Sequence, residues 1–285
     1  MKMEEHVIRS FTISDKEFQL ISKLVYELFG IVLTDKKKTL VIGRLQSELK
    51  KKGFTSFREY YDHILDDKSG QSLLTLIDKI STNHTFFFRE ADHFDFFEKE
   101  ALPNILSILR SRNEKELRIW CAGCSSGEEP YTLKMLLNEY FGQKNNGWNV
   151  KLLSTDISMT ALEKAIAGVY KKENIQNIPK PLLNKYFTKQ NDESWAVKDV
   201  LKNNMFFNRL NLMQKNFPFN KKFHIIFCRN VMIYFDSETR NDLVDRFARF
   251  MIPDGFLFIG HSETIGRNNS NFQYIKPALY RKKSV

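Results

Sequence analysis

A run of small residues, Ala122, Gly123, Cys124, Ser125, Ser126 and Gly127, follows an apolar stretch at 117–120 and runs straight into the acidic pair Glu128 and Glu129. Small side chains let a backbone approach a ligand closely, as at a strand–turn–helix junction that holds a nucleotide-type cofactor. Two carboxylates at the start of the helix would repel a phosphate, where a bare helix N-terminus would attract one. A cationic or neutral ligand fits better. S-adenosylmethionine, with a sulfonium, an ammonium and no phosphate, suits this loop better than NAD or ATP. The G-x-G-x-x-G order of a nicotinamide oxidoreductase is also absent.

Three other stretches gather polar side chains. Asp156 closes the apolar run 150–155, a second strand, where an acidic residue commonly takes a ribose hydroxyl pair. Capping of the following helix is the competing reading, although Ser158 could do that instead. Arg229, Asn230 and Tyr234 follow the buried run 223–227, at the carboxyl end of a central strand where open α/β sheets bind ligands. At 81–90, STNHTFFFRE, packing explains Phe86, Phe87 and Phe88 but not Arg89 set against them, nor Asn83 and Thr85 just before. Cys121 and Cys124 have a C-x-x-C spacing without the further ligands of a zinc site, so with Cys228 they read as small buried residues and no metal is expected.

The elements that must position these residues fall into two sets. From 14 to 80 the pattern is helical. Ser14 and Glu17 make a capping box, and Phe18, Ile21, Leu24, Val25 and Leu28 follow at helical spacing. A helix over 35–52 has an apolar stripe at Val41, Ile42, Leu45 and Leu49, with Lys36, Lys37, Arg44 and Lys51 on the opposite, outward face. That strip is either a solvated face or a docking surface. Helices over 56–65 and 69–80 complete a four-helix domain, and a long amphipathic helix ends near 109. From 117 strands and helices alternate, which implies a parallel sheet with crossover helices. The region 181–210 reads as a small antiparallel insertion with strands at 195–200 and 205–209. A helix over 237–252, a turn at 253–255 and a strand over 256–259 follow.

With 285 residues the chain can hold two domains, and its net charge of +10 implies acidic partners. The first ten residues lack the apolar core of a signal peptide, and no stretch approaches the roughly 18 to 20 apolar residues that span a bilayer. A soluble, cytoplasmic protein is expected.

Laid out in order, the motifs resemble the CheR family of chemotaxis receptor methyltransferases, S-adenosylmethionine-dependent protein-glutamate O-methyltransferases. The resemblance rests on T-N-x-T-x-F-F-R at 82–89, G-E-E-P-Y at 127–131, Asp156, Asn211-Leu212, C-R-N-V-M-I-Y-F at 228–235 and G-H-S-E at 260–263, and covers nearly the whole chain. It implies an α/β fold: a Rossmann-like class I methyltransferase domain with a small antiparallel β insertion, preceded by an all-α N-terminal helical domain. The boundaries would be 1–82 for the receptor-docking helical domain and 83–285 for the cofactor-binding catalytic domain. The cofactor would be S-adenosyl-L-methionine, surrounded by Asn83, Thr85, Arg89, Glu129, Asp156, Asn211, Leu212, Arg229 and Asn230, with Glu128 the alternative to Glu129. Arg89 and Tyr234 would face the transferring methyl. The substrate would be glutamates on the cytoplasmic methylation helices of chemoreceptors, reached by docking through Lys36, Lys37, Arg44 and Lys51 and by recruitment to membrane-bound receptor arrays. The turn 189–194 is short and lacks glycine, unlike the longer loop that holds a tethering peptide in some members, so independence of such a tether is implied.

Two rivals share the cofactor. A nucleic-acid methyltransferase would welcome the positive charge, but its Asn or Asp, Pro, Pro, aromatic segment is replaced here by Asn230, Val231, Met232, Ile233 and Tyr234. A non-catalytic, cofactor-sensing adaptor would have no need of Arg89 and Tyr234.

Overall fold

A computed structural model describes residues 11–142, 147–266 and 269–284. The chain divides into two compact units, Met1–Ser81 and Thr82–Val285. In the first, helix α1 (Asp15–Phe29) opens on the expected capping box: Ser14 Oγ accepts from Glu17 N, and Glu17 Oε2 accepts from Ser14 N at 2.8 Å. It stops at Gly30, whose φ of 69° is left-handed. The next helix starts later than the 35–52 periodicity predicts, because Asp35–Lys37 form a 3₁₀ turn before α2 (Lys38–Lys52). Helices α3 (Phe57–Asp66) and α4 (Gln71–Ile80) complete the bundle. Their apolar faces meet in a core that includes Ile21, Val25, Val41, Leu45, Leu49, Phe57, Tyr60 and Leu76, none of it exposed.

The basic strip of this unit is not uniformly outward. Lys36 and Lys51 are exposed. Lys37 donates to Val32 O at 3.3 Å, and Arg44 lies half-buried, donating to Ile80 O and Ser81 O. The last carbonyls of α4 lack intrahelical partners, and the Arg44 guanidinium satisfies them.

The second unit begins with the long amphipathic helix, in three parts: α5 (Ala91–Phe96), a π turn (Phe97–Ala101) and α6 (Leu102–Ser111). Pro103 lies at the start of α6 and has no N–H to give the preceding turn, so the widened turn falls where the regular ladder is interrupted. The main sheet contains β1 (Glu116–Ala122), β2 (Asn149–Asp156), β6 (Met205–Arg209), β7 (Phe223–Cys228), β8 (Met251–Ile259), β9 (Phe272–Lys276) and β10 (Leu279–Lys282), in the order β6-β2-β1-β7-β8-β10-β9. The first five are mutually parallel, and β10 runs antiparallel to β8 and β9. Crossovers include α7 (Glu128–Phe141), α8 (Met159–Ala167) and α9 (Ser237–Arg249). The central strands are buried along almost their whole length, as a sheet covered on both faces requires.

A separate sheet of β3 (Val169–Lys171), β5 (Ser194–Val197) and β4 (Phe187–Lys189) is the antiparallel insertion. Its extent differs from the expected 181–210. The insertion begins at Val169, and Met205–Arg209 leaves it to pair in parallel with β2 as the edge of the main sheet. The reason is burial: Met205 and Phe207 pack onto the main core while Phe206 faces out, so this strand covers the open side of β2. The expected turn at 253–255 is a bulge inside β8, with Asp254 at a φ of 64° and the pairing jumping from Phe223–Met251 to Ile225–Phe256.

Candidate functional site

The order of the main sheet reverses between β1 and β7, since the chain leaves β1 toward β2 on one side and returns through β7 on the other. The crevice beyond the carboxyl ends of these two strands is where such sheets hold ligands. Ala122 ends β1 there, and the chain turns with Gly123 at a φ of 90°, Ser125 at 49° and Gly127 at 98°. A Cβ on Gly123 would lie 2.3 Å from Val231 Cγ2, so only glycine lets this loop pass the segment that follows β7.

Four of the loop's own N–H groups are spent. Gly123 N and Cys124 N both donate to Thr155 O, at 2.7 and 2.9 Å, Ser125 N to Asp156 Oδ2 at 2.7 Å, and Gly127 N to Cys124 O at 3.0 Å. A phosphate cradle needs those donors turned outward. Asp156, at the end of β2, is buried and also accepts from Ser158 N at 2.9 Å; Ser158 itself caps α8 by accepting from Ala161 N. The capping reading of Asp156 therefore gives way to Ser158, and the aspartate ties β2 to the glycine loop.

The two adjacent glutamates part company. Glu128 is buried, bonded to Ser126 Oγ at 2.7 Å. Glu129 Oε2 accepts from Arg229 at 2.9 Å, and the other arm of the same guanidinium reaches Glu90 Oε2 at 3.0 Å and the backbone carbonyl of Arg89. The Arg229 side chain is only 2% exposed. One guanidinium thus faces two carboxylates, leaving a local excess of negative charge. Burial pushes the Glu129 carboxyl up against the opposing pull of Arg229. Burial also raises Glu90, but Arg229 and the Asn230 amide outweigh it and hold that carboxyl below its ordinary value. Burial likewise raises the thiols of Cys121, Cys124 and Cys228, which are buried and unpaired with one another.

The other expected residues fall around this crevice. Asn83 O accepts from Ser125 Oγ at 3.1 Å, bringing the 82–90 stretch onto the loop, with Thr85 half-buried in it. Arg89 donates to His84 O at 2.9 Å and lies over the Phe86 ring at 5.8 Å. Phe87 is fully buried against Tyr170 and Phe187, as a packing ring should be. Leu210 N donates to Asp156 O at 3.0 Å, which carries Asn211 and Leu212 past the end of β2; Leu212 is buried and its carbonyl is held by Arg246. Asn230 follows Arg229 with a left-handed φ of 59°, and Tyr234 ends the 3₁₀ turn Met232–Tyr234, half-buried. Lys36, Lys37, Arg44 and Lys51 belong to the other unit.

Sequence reasoning missed Glu90 and Glu263. Glu90 binds both Arg229 and Asn230 Nδ2. Its signal was its place beside Arg89. Glu263 belongs to the G-H-S-E motif just beyond the end of β8. Glu90, His93 and His261 also bring possible metal-ligand atoms within 4.8 Å of one another. Glu90 is already committed to Arg229, Asn230 and the His261 N–H, so the group is an ionic network rather than an open cation cage.

A parallel sheet with this reversal, a glycine loop whose donors are turned inward and a crevice rich in carboxylates define a phosphate-free, methyltransferase-type cofactor domain. Comparison with known proteins is more specific. Residues 83–280 match the family model "CheR methyltransferase, SAM binding domain", and 16–81 match "CheR methyltransferase, all-alpha domain". The chain is 48% identical to a chemotaxis protein methyltransferase of Borreliella burgdorferi over 273 residues, 96% of each chain. It is 36% identical to that of Escherichia coli over 271 residues, 94% of this chain and 91% of the relative. The chain belongs to the CheR methyltransferase family, and its cofactor is S-adenosylmethionine.

The residues fit that group. Asp156 offers a carboxylate for a diol, and the carboxylate excess around Arg229 suits a cationic ligand where a phosphate would be repelled.

Proposed function

We propose that the chain methylates glutamate side chains of chemoreceptors, forming carboxyl methyl esters. The observation that carries this reading is the crevice at β1 and β7: donors turned inward, carboxylates in excess, and Arg89 and Tyr234 on the two segments that flank it. S-adenosylmethionine supplies an electrophilic methyl on its sulfonium. Asp156 accepts from the ribose hydroxyls, Glu129 and Asn230 hold the polar ends, and Asn83, Thr85, Asn211, Leu212 and Arg229 complete the pocket. Glu129 rather than Glu128 serves, because Glu128 is buried and bonded within its own turn.

An accepting glutamate is already ionised at neutral pH, its reference pKa being about 4.3, so no general base is needed. The protein's contribution is orientation, worth up to roughly 7 to 11 kcal/mol in favourable cases, together with exclusion of water. Arg89 fixes the carboxylate by its planar fork, and Tyr234 adds a weaker neutral hydrogen bond that leaves the attacking oxygen nucleophilic. The helical unit docks on the receptor through exposed lysines, Lys36 and Lys51 among them, next to Lys37 and Arg44, which also brace the domain. No helix among the described residues is long and apolar enough to cross a membrane, and this docking is the contact that would bring the chain to receptor arrays. The short turn between β4 and β5 is closed by Asn191, which accepts from Glu193 N and Ser194 Oγ, and favours action without a tethering peptide.

The test is transfer of labelled methyl from S-adenosylmethionine to membranes carrying the host's chemoreceptors, followed by alkali. Volatile methanol from a receptor-sized band is expected, and Arg89→Ala should lose most of it while remaining folded. Base-stable label, or label on added nucleic acid, would overturn the reading.

A further inference from the structure

We infer that Glu263 is a positioning residue for methyl transfer, acting as a carboxylate clamp that holds the turn from Arg229 to Tyr234 in its working shape. The inference rests on the methyl-transfer reading above and concerns a residue that touches neither proposed substrate nor cofactor. Glu263 Oε2 accepts from Asn230 N at 2.9 Å and from Gly260 N at 2.5 Å, and Oε1 accepts from Ile233 N at 3.0 Å. Three backbone donors from two chain segments thus converge on one side chain that is 6% exposed.

The turn needs such a partner. Asn230 has a left-handed φ of 59°, a conformation open chiefly to glycine, asparagine and aspartate, which turns the chain sharply after Arg229. Asn230 N and Ile233 N find their acceptor in Glu263 rather than in a neighbouring strand. Gly260 completes the cradle. A Cβ there would lie 2.5 Å from Asn230 Nδ2 and 2.8 Å from Asn230 N, so the β8 end must be bare for the turn to rest on it. Glu263 N in turn donates to Gly260 O at 2.9 Å, which folds the G-H-S-E segment back beneath its own carboxylate. The carboxylate therefore sets Arg229 and Asn230 at one end of the turn and Tyr234 at the other. Shape alone would be served by any well-packed side chain. Three converging N–H groups exceed the two lone pairs of a single carbonyl oxygen, and a carboxylate accommodates them.

The test compares Glu263→Gln, which keeps the volume but replaces one acceptor oxygen by a donor, with Glu263→Asp, which keeps the charge on a shorter arm. Both are assayed on the full chain for kcat, KM and calorimetric affinity for S-adenosylhomocysteine, with circular dichroism to establish folding. In folded Glu263→Gln, affinity for the product should weaken about tenfold, the scale of one lost hydrogen bond. Its kcat should fall about 10²-fold, the scale of an ångström's misplacement, with Glu263→Asp partly restored. Wild-type kcat and affinity in folded Glu263→Gln would overturn the inference. Should that variant not fold, amide exchange in the unmodified protein decides: Asn230 and Ile233 should exchange slowly without ligand, and fast exchange at both while β7 stays protected would overturn the clamp. A wild-type protein that binds no S-adenosylhomocysteine and transfers no methyl would instead defeat the proposed function.

Discussion

The two units use charge in opposite ways. Among the described residues, the helical unit fully buries one charged side chain, Glu48, and leaves the others exposed or half-buried. The sheet unit buries Lys134 and Arg246 on its helices, and gathers the buried Glu128, Asp156, Arg229 and Glu263 close to the carboxyl ends of its central strands, with Glu90 and Glu129 half-buried beside them. Enclosing a charge costs several kcal/mol unless partners compensate it. Stability alone gives no reason to gather so many at one rim of a sheet, and the concentration marks the site. The helical unit shows what the same chain does where no ligand has to be held: apolar stripes meet, caps close the helix ends, and charge stays outside.

The largest expected effect breaks the sheet unit's arrangement at its centre. Arg229→Met leaves Glu129 and Glu90 facing each other without a counter-charge, and should cost about 3 to 5 kcal/mol in a denaturant titration while abolishing cofactor binding. A loss below about 1 kcal/mol would mean that the charges are solvated after all.

Acid should also act on the sheet unit. His93 and His224 are fully buried, and burial, aided by Arg229 and Arg118 respectively, lowers each imidazole to about 4. His224 Nδ1 accepts from Arg118 N at 2.8 Å, a bond that only the neutral ring can accept. The unfolded chain takes up these protons near its ordinary value of about 6.5, before the folded protein does. Stability is therefore intact above that value and falls as pH drops from there to about 4. The slope should be about 1.4 kcal/mol per pH unit for each histidine, measured by urea unfolding across the window. A flat profile would show that neither ring is enclosed as described.

The smallest effect separates members of the basic strip. Arg44→Met removes the cap on the last carbonyls of α4 and should cost about 1 kcal/mol. Lys36→Glu with Lys51→Glu should change stability by no more than about 0.5 kcal/mol yet weaken receptor methylation, with cofactor affinity unchanged. Equal costs in thermal melts would erase the distinction between bracing and docking.

What could be read in the sequence was what is local or periodic. Ser14 and Glu17 announce α1 because both halves of the capping box lie within one turn, and the glycine loop with its acidic pair was legible because β1, loop and α7 are contiguous. Met205–Arg209 was misassigned since a short apolar strand looks the same in either sheet, and only burial of Met205 and Phe207 decides. The π turn before Pro103 and the bulge at Asp254 both lie inside elements whose pattern continues through them. Arg44 matched the outward face of a wheel, but its long side chain reached back to α4. Glu90 and Glu263 were missed for a different reason. Their partners Arg229 and Asn230 lie far along the chain, and no spacing rule links them before the sheet brings strand ends together.

Hydrogen exchange of the full chain with and without S-adenosylhomocysteine tests the central claim most directly. Added protection is expected at 83–90, 121–129, 156, 211–212 and 229–234, with none across 15–80. Protection centred on the helical unit, or none at the ends of β1 and β7, would contradict the placement of the cofactor and of the chemistry built around it.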